Sequence, residues 1–381
     1  MDFAFTSEQL LLKKELEEFI QLNVMPNIEK FEREGAITKD FINELATNNL
    51  LGTNIKKIYG GKELESISLG LFHEEFGKAY GSLQNLLTVY GMVTEAIQRG
   101  AKNDLKEYWI KEIIRGNKVP AFALTEPEVG SNIKEITTEI KEEEDHFIIN
   151  GKKKWITLAQ IADIFLVFGK TNNMFSCVLV ERETKGFNIE PIDGLLGLKA
   201  NMVAELTFTN CKVPKENLVG TIGNGISSIA SISLDQGRYT TAWGSVGLMQ
   251  ACLDSSLRYT KKRKQFGKAL RNFELIQKMI TEMIAKVHSA RLVSLHAGYL
   301  RNEGDTESVS KTLLAKYVAS TELNEIATNA VQVQGAQGCC VGNDAERYFR
   351  DAKIMEIIEG TTQMHEILIS TNEYFNFKQK S

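Results

Sequence analysis

The sequence has few of the residues that would indicate a metal centre, a disulfide-stabilised fold or a membrane protein. Its 381 residues include only five cysteines and five histidines, and the cysteines show neither metal-ligand spacing nor an even disulfide set. No stretch approaches the roughly 20 apolar residues that a membrane helix needs. The N-terminus carries early acidic residues and lacks the apolar core of a signal peptide. These absences favour a reduced, metal-free, cytoplasmic protein.

Strong charge of one sign is also missing. The formal net charge is −4, which argues against a general nucleic-acid binder. Hydrophobic residues make up 43% of the chain and charged residues 25%, the balance of an ordinary globular protein. The length is too great for one typical hydrophobic core and predicts two or three packed modules.

Proline is scarce and unevenly placed, and its distribution indicates where the helices lie. The last of the five prolines is Pro214, and the proline-free remainder fits a long helical region because proline breaks helix interiors. Residues 1–119 also have helical spacing, with a cap expected at Ser7. We therefore predict an N-terminal α-helical domain at 1–119 and a C-terminal α-helical domain at 221–381.

The sequence pattern between residues 120 and 220 differs from that of the helical regions on either side. Short β-rich runs separated by turns predict a small β domain there. The Asn150-Gly151 pair, inside an alternating stretch, predicts a hairpin turn, and the acidic run at 141–145 is most simply a solvated turn. The fold class is thus α+β, with helices, then strands, then helices.

Four short segments could carry chemistry, although each has an ordinary structural explanation. The segment FALTEPEVGSN (122–132) offers hydroxyls and bare backbone N–H groups suited to a ring edge or a phosphate, or it is simply a loop. The WIT segment (155–157) places an aromatic ring beside a hydroxyl, but a lone tryptophan is more often core. The run KKRKQFG (261–267) is a solvated helix end, a nucleic-acid contact or a phosphate site through one arginine. QVQGAQGCC (332–340) is a small-residue turn that a ligand could approach.

Taken in order, these segments and RDAKIMEIIEGT (350–361) resemble the acyl-CoA dehydrogenase family nearly from end to end. The resemblance implies a helical N-terminal domain, a middle β-barrel and a C-terminal four-helix bundle. It also implies a non-covalent FAD between the β domain and the C-terminal helices. Sharing one flavin between two chains implies a homodimer or homotetramer, and an electron-transfer flavoprotein is the expected electron acceptor.

Glu359 matches the catalytic base of this family, whereas its neighbour Glu356 has no catalytic role by the same match. A carboxylate at its reference pKa of about 4 would be a poor base for a thioester α-proton. Burial beside Ile357 and Ile358 would raise that pKa towards the working pH. The alternative is that Glu359 only caps the following helix.

The resemblance also implies which residues hold the flavin. Thr125 and Thr157 would bond the edge of the isoalloxazine ring, while Arg263 and Phe266 would reach the FAD of a neighbouring subunit. The cofactor-binding residues implied in this way are Phe122, Leu124, Thr125, Gly130, Ser131, Trp155, Thr157, Arg263, Phe266, Gln332, Gly335, Ala336, Thr361 and Gln363. The substrate-binding residues are Ser131, Asp235, Arg238 and Gly360.

The sequence departs from the usual family pattern at positions that bear on the substrate. WITLA lacks an Asn-Gly pair at 158–159, Ile358 stands where tyrosine is common, and Ala336 replaces a glycine. The chain is most similar to the branch that oxidises short polar acyl groups on an acyl carrier protein, for polyketide and hybrid peptide extender units. A short- or branched-chain acyl-CoA dehydrogenase is the alternative. Two rival classes are a nucleic-acid-associated flavoprotein and a helical scaffold without cofactor.

Overall fold

The computed structural model describes residues 4–380, and helices form its first part. The first helix is capped by Thr6 rather than by the expected Ser7, because the Thr6 side chain and Gln9 form a reciprocal capping box. Six α-helices precede the sheet: α1 (Ser7–Phe19), α2 (Ile28–Glu34), α3 (Lys39–Thr47), α4 (Ser66–Ala79), α5 (Gly81–Gly100) and α6 (Asn103–Ile114).

A curled sheet of seven strands follows, in the order β1-β4-β2-β3-β7-β6, with β5 paired to β4. Most neighbours are antiparallel, but β1 and β2 both run parallel to β4. The strands are β1 (Pro120–Ala123), β2 (Glu139–Glu142), β3 (His146–Ile156), β4 (Ile164–Thr171), β5 (Met174–Glu181), β6 (Phe187–Pro191) and β7 (Ala204–Pro214).

The hairpin predicted at Asn150-Gly151 is wrong. Both residues lie inside the continuous strand β3, at an irregularity in its pairing with β7. Gly151 is needed there because a Cβ at this position would lie 2.7 Å from the Thr138 Oγ1, with φ at +147°. The chain turns instead within the acidic run, between Glu142 at the end of β2 and His146 at the start of β3.

The last part of the chain is helical again, and three long helices dominate it. A small hairpin, β8 (Lys264–Gln265) with β9 (Lys268–Ala269), separates the first two of them. The helices are α7 (Ser231–Lys262), α8 (Glu274–Asn302), α9 (Ser308–Gln334), α10 (Asp344–Ile357) and α11 (Thr362–Lys380). The predicted succession of helices, strands and helices is therefore confirmed.

Two hydrophobic clusters hold these parts together. One runs from α1–α6 through both faces of the sheet, and the other is built mainly from α7, α8, α9 and α10. Helix α7 also packs closely on α4 and α5: a Cβ at Gly70 of α4 would collide with the Trp243 ring, and one at Gly244 of α7 with the Gln84 side chain of α5. None of the helices within residues 4–380 is long and apolar enough to cross a bilayer.

Candidate active site

Glu359 lies in the short connection between α10 and α11, in an unusual backbone conformation. Its φ angle is +57°, and that of the next residue, Gly360, is +103°. Glycine adopts such angles readily, but glutamate does so at a cost in free energy. The surrounding contacts must therefore hold Glu359 in place.

The carboxylate of Glu359 points into the interior against helix α7. A Cβ on Gly237 would collide with the Glu359 Oε2, so glycine is required where the carboxylate lies. This oxygen is buried and has no hydrogen-bond partner among the described residues. Burial raises the pKa of Glu359 to about 7, against the lowering effect of Arg238 and Lys316.

The source of this burial differs from the expectation that the neighbouring isoleucines would provide it. Ile357 is 49% exposed, and Ile358 is only partly buried. Because the backbone turns at Glu359, the side chain leaves the isoleucines behind and lies against Gly237 of α7, with Met92 of α5 close by.

Two basic side chains fix the backbone around Glu359. The Arg238 Nε donates to the Glu359 carbonyl oxygen at 3.1 Å. The Lys316 Nζ donates to the carbonyl oxygens of Glu356 at 2.9 Å and Gly360 at 2.8 Å. Lys316 is fully buried, and burial lowers its pKa to about 7. Its ammonium group thus joins the two ends of the segment that carries Glu359.

The nearby Glu356 lies in a different environment. Its carboxylate accepts hydrogen bonds from the Thr362 hydroxyl at 2.8 Å and the Lys353 Nζ at 2.6 Å. Although burial opposes ionisation, these contacts lower the pKa of Glu356. A base that must take up a proton near neutral pH is therefore available at Glu359 and not at Glu356.

The structure brings the first two sequence segments together at one edge of the sheet. The backbone N–H of Lys154 donates to the Thr125 carbonyl oxygen at 2.9 Å. Trp155 has a φ angle of +62° and is 53% exposed, and Thr157 follows it. An aromatic face and two threonines are thus presented side by side, while Leu124 is buried and Phe122 packs on Phe168.

A buried ion pair connects these segments. The Lys153 Nζ donates to the Glu126 Oε1 at 2.8 Å and to the Leu124 carbonyl oxygen at 2.9 Å. Burial opposes ionisation of Glu126, but Lys153 and the hydrogen bonds of Thr137 and Thr138 outweigh it and lower its pKa to about 2. Residues 124–138 are in this way tied to the strand that carries Trp155.

Lys153→Met is expected to lower the free energy of unfolding by about 3–5 kcal/mol at neutral pH, because it leaves the Glu126 carboxylate buried without its cation. Urea unfolding measures this free energy, and the affinity of the variant for FAD should also be lower than that of the wild type. The control is Lys152→Met, which removes the neighbouring exposed lysine and its 3.3 Å contact with Glu205. Equal unfolding free energies for the two variants would contradict this role of Lys153.

The two C-terminal segments, at 261–267 and 332–340, present several exposed residues. Phe266 is 92% exposed at the tip of the β8–β9 hairpin, and Gln332, Gly335 and Ala336 are exposed at the end of α9. A cavity of about 430 Å³ separates this end from Arg263; its lining is Ser255, Arg258, Tyr259, Lys262, Arg263, Gln334 and Asp344.

The remaining sequence candidates lie around α7 and α11. Asp235 forms an ion pair with Arg301, whereas Arg238 contacts the Glu359 backbone as described. Thr361 precedes α11, and its carbonyl oxygen contacts the His365 Nδ1 at 3.0 Å. Gln363, in the first turn of α11, and Ser131, in the loop after β1, are exposed.

Comparisons with protein families match this architecture in three consecutive pieces. The N-terminal, middle and C-terminal domain models of acyl-CoA dehydrogenase match residues 6–117, 121–211 and 223–373. The short-chain specific acyl-CoA dehydrogenase of Clostridium acetobutylicum is 31% identical over 376 residues, which is 97% of this chain and 99% of the relative. The chain belongs to the acyl-CoA dehydrogenase family. It is an FAD-dependent oxidoreductase that acts on acyl thioesters.

Further relatives and solved structures show similar agreement. The caffeyl-CoA reductase–Etf complex subunit CarC of Acetobacterium woodii is 30% identical, with 96% of this chain and 98% of the relative covered. The structure of butyryl-CoA dehydrogenase from Megasphaera elsdenii superposes with a TM-score of 0.94 at 29% identity, covering 98% and 100%. FkbI, described for biosynthesis of a methoxymalonyl extender unit, superposes with 0.86 at 27% identity, covering 96% and 99%.

The residues present fit the FAD of this family. The half-exposed Trp155 ring offers a surface for a flavin. A Cβ at Gly130 or at Gly335 would meet nothing within 4 Å, so both backbones are open to a ligand. The exposed guanidinium of Arg263 is suited to a pyrophosphate.

Sequence reasoning missed the two buried lysines, Lys153 and Lys316. A signal for Lys316 was present: Thr312, Ala315, Lys316 and Ala319 follow the spacing of one helix face and are all buried. The lysine therefore lies on the apolar side of α9. A lysine on such a face needs buried acceptors, and the carbonyl oxygens around Glu359 supply them.

Proposed function

We propose that the protein dehydrogenates a short polar acyl group carried by an acyl carrier protein, with Glu359 as the base that removes the α-proton. The observation that supports Glu359 as the base is its buried Oε2 atom, which has no hydrogen-bond partner among the described residues, together with its pKa near 7. A base of that pKa is about half ionised near neutral pH, so it can both take up and release a proton there.

Each neighbouring group has a role in this proposal. Arg238 and Lys316 hold the backbone on both sides of Glu359, so that its carboxylate faces the α-carbon. The Glu359 N–H donates to the thioester carbonyl oxygen and stabilises the enolate. Thr125, Trp155 and Thr157 orient the ring of FAD, which supplies the acceptor for the β-hydrogen. The carboxyl group of Glu359 retains the α-proton until the product leaves.

The proposal also names the carrier of the acyl group, the electron acceptor and the oligomeric state. The similarity to FkbI, named for biosynthesis of a methoxymalonyl extender unit, supports an extender-unit substrate, and the sequence resemblance described above adds the carrier protein. The similarity to a short-chain acyl-CoA dehydrogenase favours CoA as the second candidate. The similarity to CarC, named as part of an Etf complex, supports an electron-transfer flavoprotein as acceptor. The exposed Phe266 and Arg263 support a homodimer or homotetramer in which they reach the neighbour's FAD.

Four substrates distinguish CoA from an acyl carrier protein as the carrier. Butyryl and 4-hydroxybutyryl groups are each attached to CoA and to an acyl carrier protein, and flavin bleaching is followed anaerobically. We expect kcat/KM to be at least about tenfold higher on the carrier protein, a difference of about 1.4 kcal/mol. Equal or better turnover of the CoA thioesters would replace the carrier-protein proposal by the CoA one. No bleaching by any of the four would contradict the thioester reaction itself.

A further inference from the structure

A small gap with polar walls lies between α5 and α7, beside Gly91. A methyl group on Gly91 would have two side-chain neighbours within 4 Å: the Asn54 Oδ1 at 3.7 Å and the Gln236 Nε2 at 3.8 Å. Neither atom has a hydrogen-bond partner in the described part of the chain, and both are buried. The gap is therefore bordered by one free donor and one free acceptor.

The amide of Gln236 is held in a fixed orientation. Its Oε1 accepts a hydrogen bond from the Arg301 Nη2 at 3.1 Å, and Arg301 is itself held by Asp235. Because Arg301 can only donate, the oxygen of Gln236 must face it and the Nε2 must face the gap. Gln236 is only 5% exposed, so water from the surface does not readily satisfy this donor.

Asn54 is oriented in the opposite sense. Its Nδ2 donates to the Gly91 carbonyl oxygen at 3.2 Å and to the Glu95 Oε2 at 3.4 Å. Both partners are acceptors, so the Asn54 Oδ1 is left to face the gap. The two amides thus present a donor and an acceptor whose identities are set by other contacts.

This combination selects a particular chemical group. Leaving a buried donor and a buried acceptor unpaired is unfavourable, and a methyl group would satisfy neither. A carboxylate could accept from Gln236 but would have nothing to donate to Asn54, and an ammonium group could donate but not accept. A hydroxyl group both donates and accepts, so it completes both amides.

Helices α5 and α7, which border the gap, also carry residues beside the Glu359 carboxylate. Gln236 is followed by Gly237, whose Cα faces the Glu359 Oε2, and Gly91 is followed by Met92. A Cβ on Gly237 would lie 2.8 Å from the Met92 Sδ. The gap therefore lies on the same two helices as the residues beside the Glu359 carboxylate, one position earlier in each.

We propose that this gap is the subsite for a hydroxyl group on the acyl chain, which accepts a hydrogen bond from the Gln236 Nε2 and donates one to the Asn54 Oδ1. The inference rests on the proposed function and names its substrate class: a hydroxylated short-chain acyl thioester. A site that hydrogen-bonds a substrate hydroxyl discriminates strongly against the analogue without it.

Binding measured without turnover tests the subsite. In the FAD-loaded Glu359→Gln protein, calorimetry gives the Kd of butyryl, 3-hydroxybutyryl and 4-hydroxybutyryl pantetheine thioesters. We expect one of the hydroxylated thioesters to bind at least about tenfold more tightly than butyryl. Adding Gln236→Met should bring the two values to within about twofold, the size of effect left when the hydrogen bond is gone.

A second glutamine on the same helix provides the matched control. The Gln250 Oε1 also accepts from an arginine, the Arg291 Nη2 at 3.1 Å, but its Nε2 is already paired with Asp254 at 2.9 Å. Gln250→Met should therefore leave the hydroxyl preference unchanged. If Gln250→Met and Gln236→Met reduced the preference equally, general loosening of α7 would explain it and the subsite would be wrong.

Gly91→Ala is the second variant, and it fills the gap without removing either amide. The added methyl group would make ordinary van der Waals contacts at 3.7 and 3.8 Å, and alanine is favoured over glycine inside a helix. We expect a folded protein that has lost the hydroxyl preference. If the Glu359→Gln protein binds all three thioesters with equal affinity, the subsite alone is overturned. If none of the three thioesters reduces the flavin of the wild type, the proposed function is overturned as well.

Discussion

Replacing Glu359 with glutamine is expected to slow flavin reduction by an acyl thioester by about 10²–10⁴-fold, the usual contribution of a positioned general base. Glutamine preserves the size of the side chain and removes only its ability to take up the α-proton. FAD should remain bound, since Glu359 contacts neither the Trp155 face nor Arg263. Anaerobic stopped-flow absorbance at the long-wavelength flavin band measures the rate.

The matched control is Glu356→Gln, three residues earlier in the same segment. Its carboxylate bonds Thr362 and Lys353 and does not face Gly237, so its removal should leave the reduction rate near that of the wild type. Unimpaired reduction in Glu359→Gln, or an equal loss in Glu356→Gln, would contradict the assignment of Glu359 as the base.

The pH dependence of the wild type gives the same assignment an independent check. Since only the ionised form of Glu359 can accept a proton, the reduction rate should rise with pH through about 7, the value to which burial raises its pKa. Glu359→Gln should lose this rise. Above pH 7, the free energy of unfolding of Glu359→Gln should be equal to or greater than that of the wild type, because the variant lacks the buried negative charge.

The sequence alone was sufficient for the order of the parts, and it singled out Glu359, whose role as the base stays a prediction. Long proline-free tracts with helical spacing became α7, α8 and α9, and short β-rich runs became the sheet. Glu359 was recognised because motif residues close in sequence carry it. Its buried environment was expected from Ile357 and Ile358, but it depends on Gly237 and Met92, which come from distant elements.

Short sequence motifs did not predict which strands pair across the sheet. The Asn-Gly pair is a strong hairpin signal, yet Asn150 pairs with Asn210 of β7, whose N–H donates to the Asn150 Oδ1 at 2.8 Å. Tertiary pairing thus overrides the turn preference at this position. In the same way, the donor of Gln236 on α7 and the acceptor of Asn54, in the segment between α3 and α4, both lie near Gly91 of α5 through tertiary packing, and no spacing in the sequence indicates it.

Lys316 is the residue for which the structure predicts the next largest effect, through its hold on Glu359. Lys316→Met leaves the carbonyl oxygens of Glu356 and Gly360 buried without their donor, at a cost of about 1–3 kcal/mol each. The segment then restrains Glu359 at its positive φ angle less firmly, because of the two basic side chains Arg238 alone still holds it. Displacement of a reacting group by about 1 Å can slow a reaction about 10²-fold, so we expect a loss of up to that size.

A shift in the pH profile distinguishes this positioning role from a purely structural one. The Lys316 ammonium lowers the pKa of Glu359 against the larger effect of burial, so its removal should move the midpoint of flavin reduction to higher pH. The control is Lys353→Met, since Lys353 is exposed and, among the residues that the structure describes, forms its ion pair with the Glu356 side chain. Lys316→Met should therefore lose stability and rate and also shift its midpoint, whereas Lys353→Met should keep all three. An unshifted midpoint in Lys316→Met would mean that this lysine supports the fold without influencing the ionisation of Glu359.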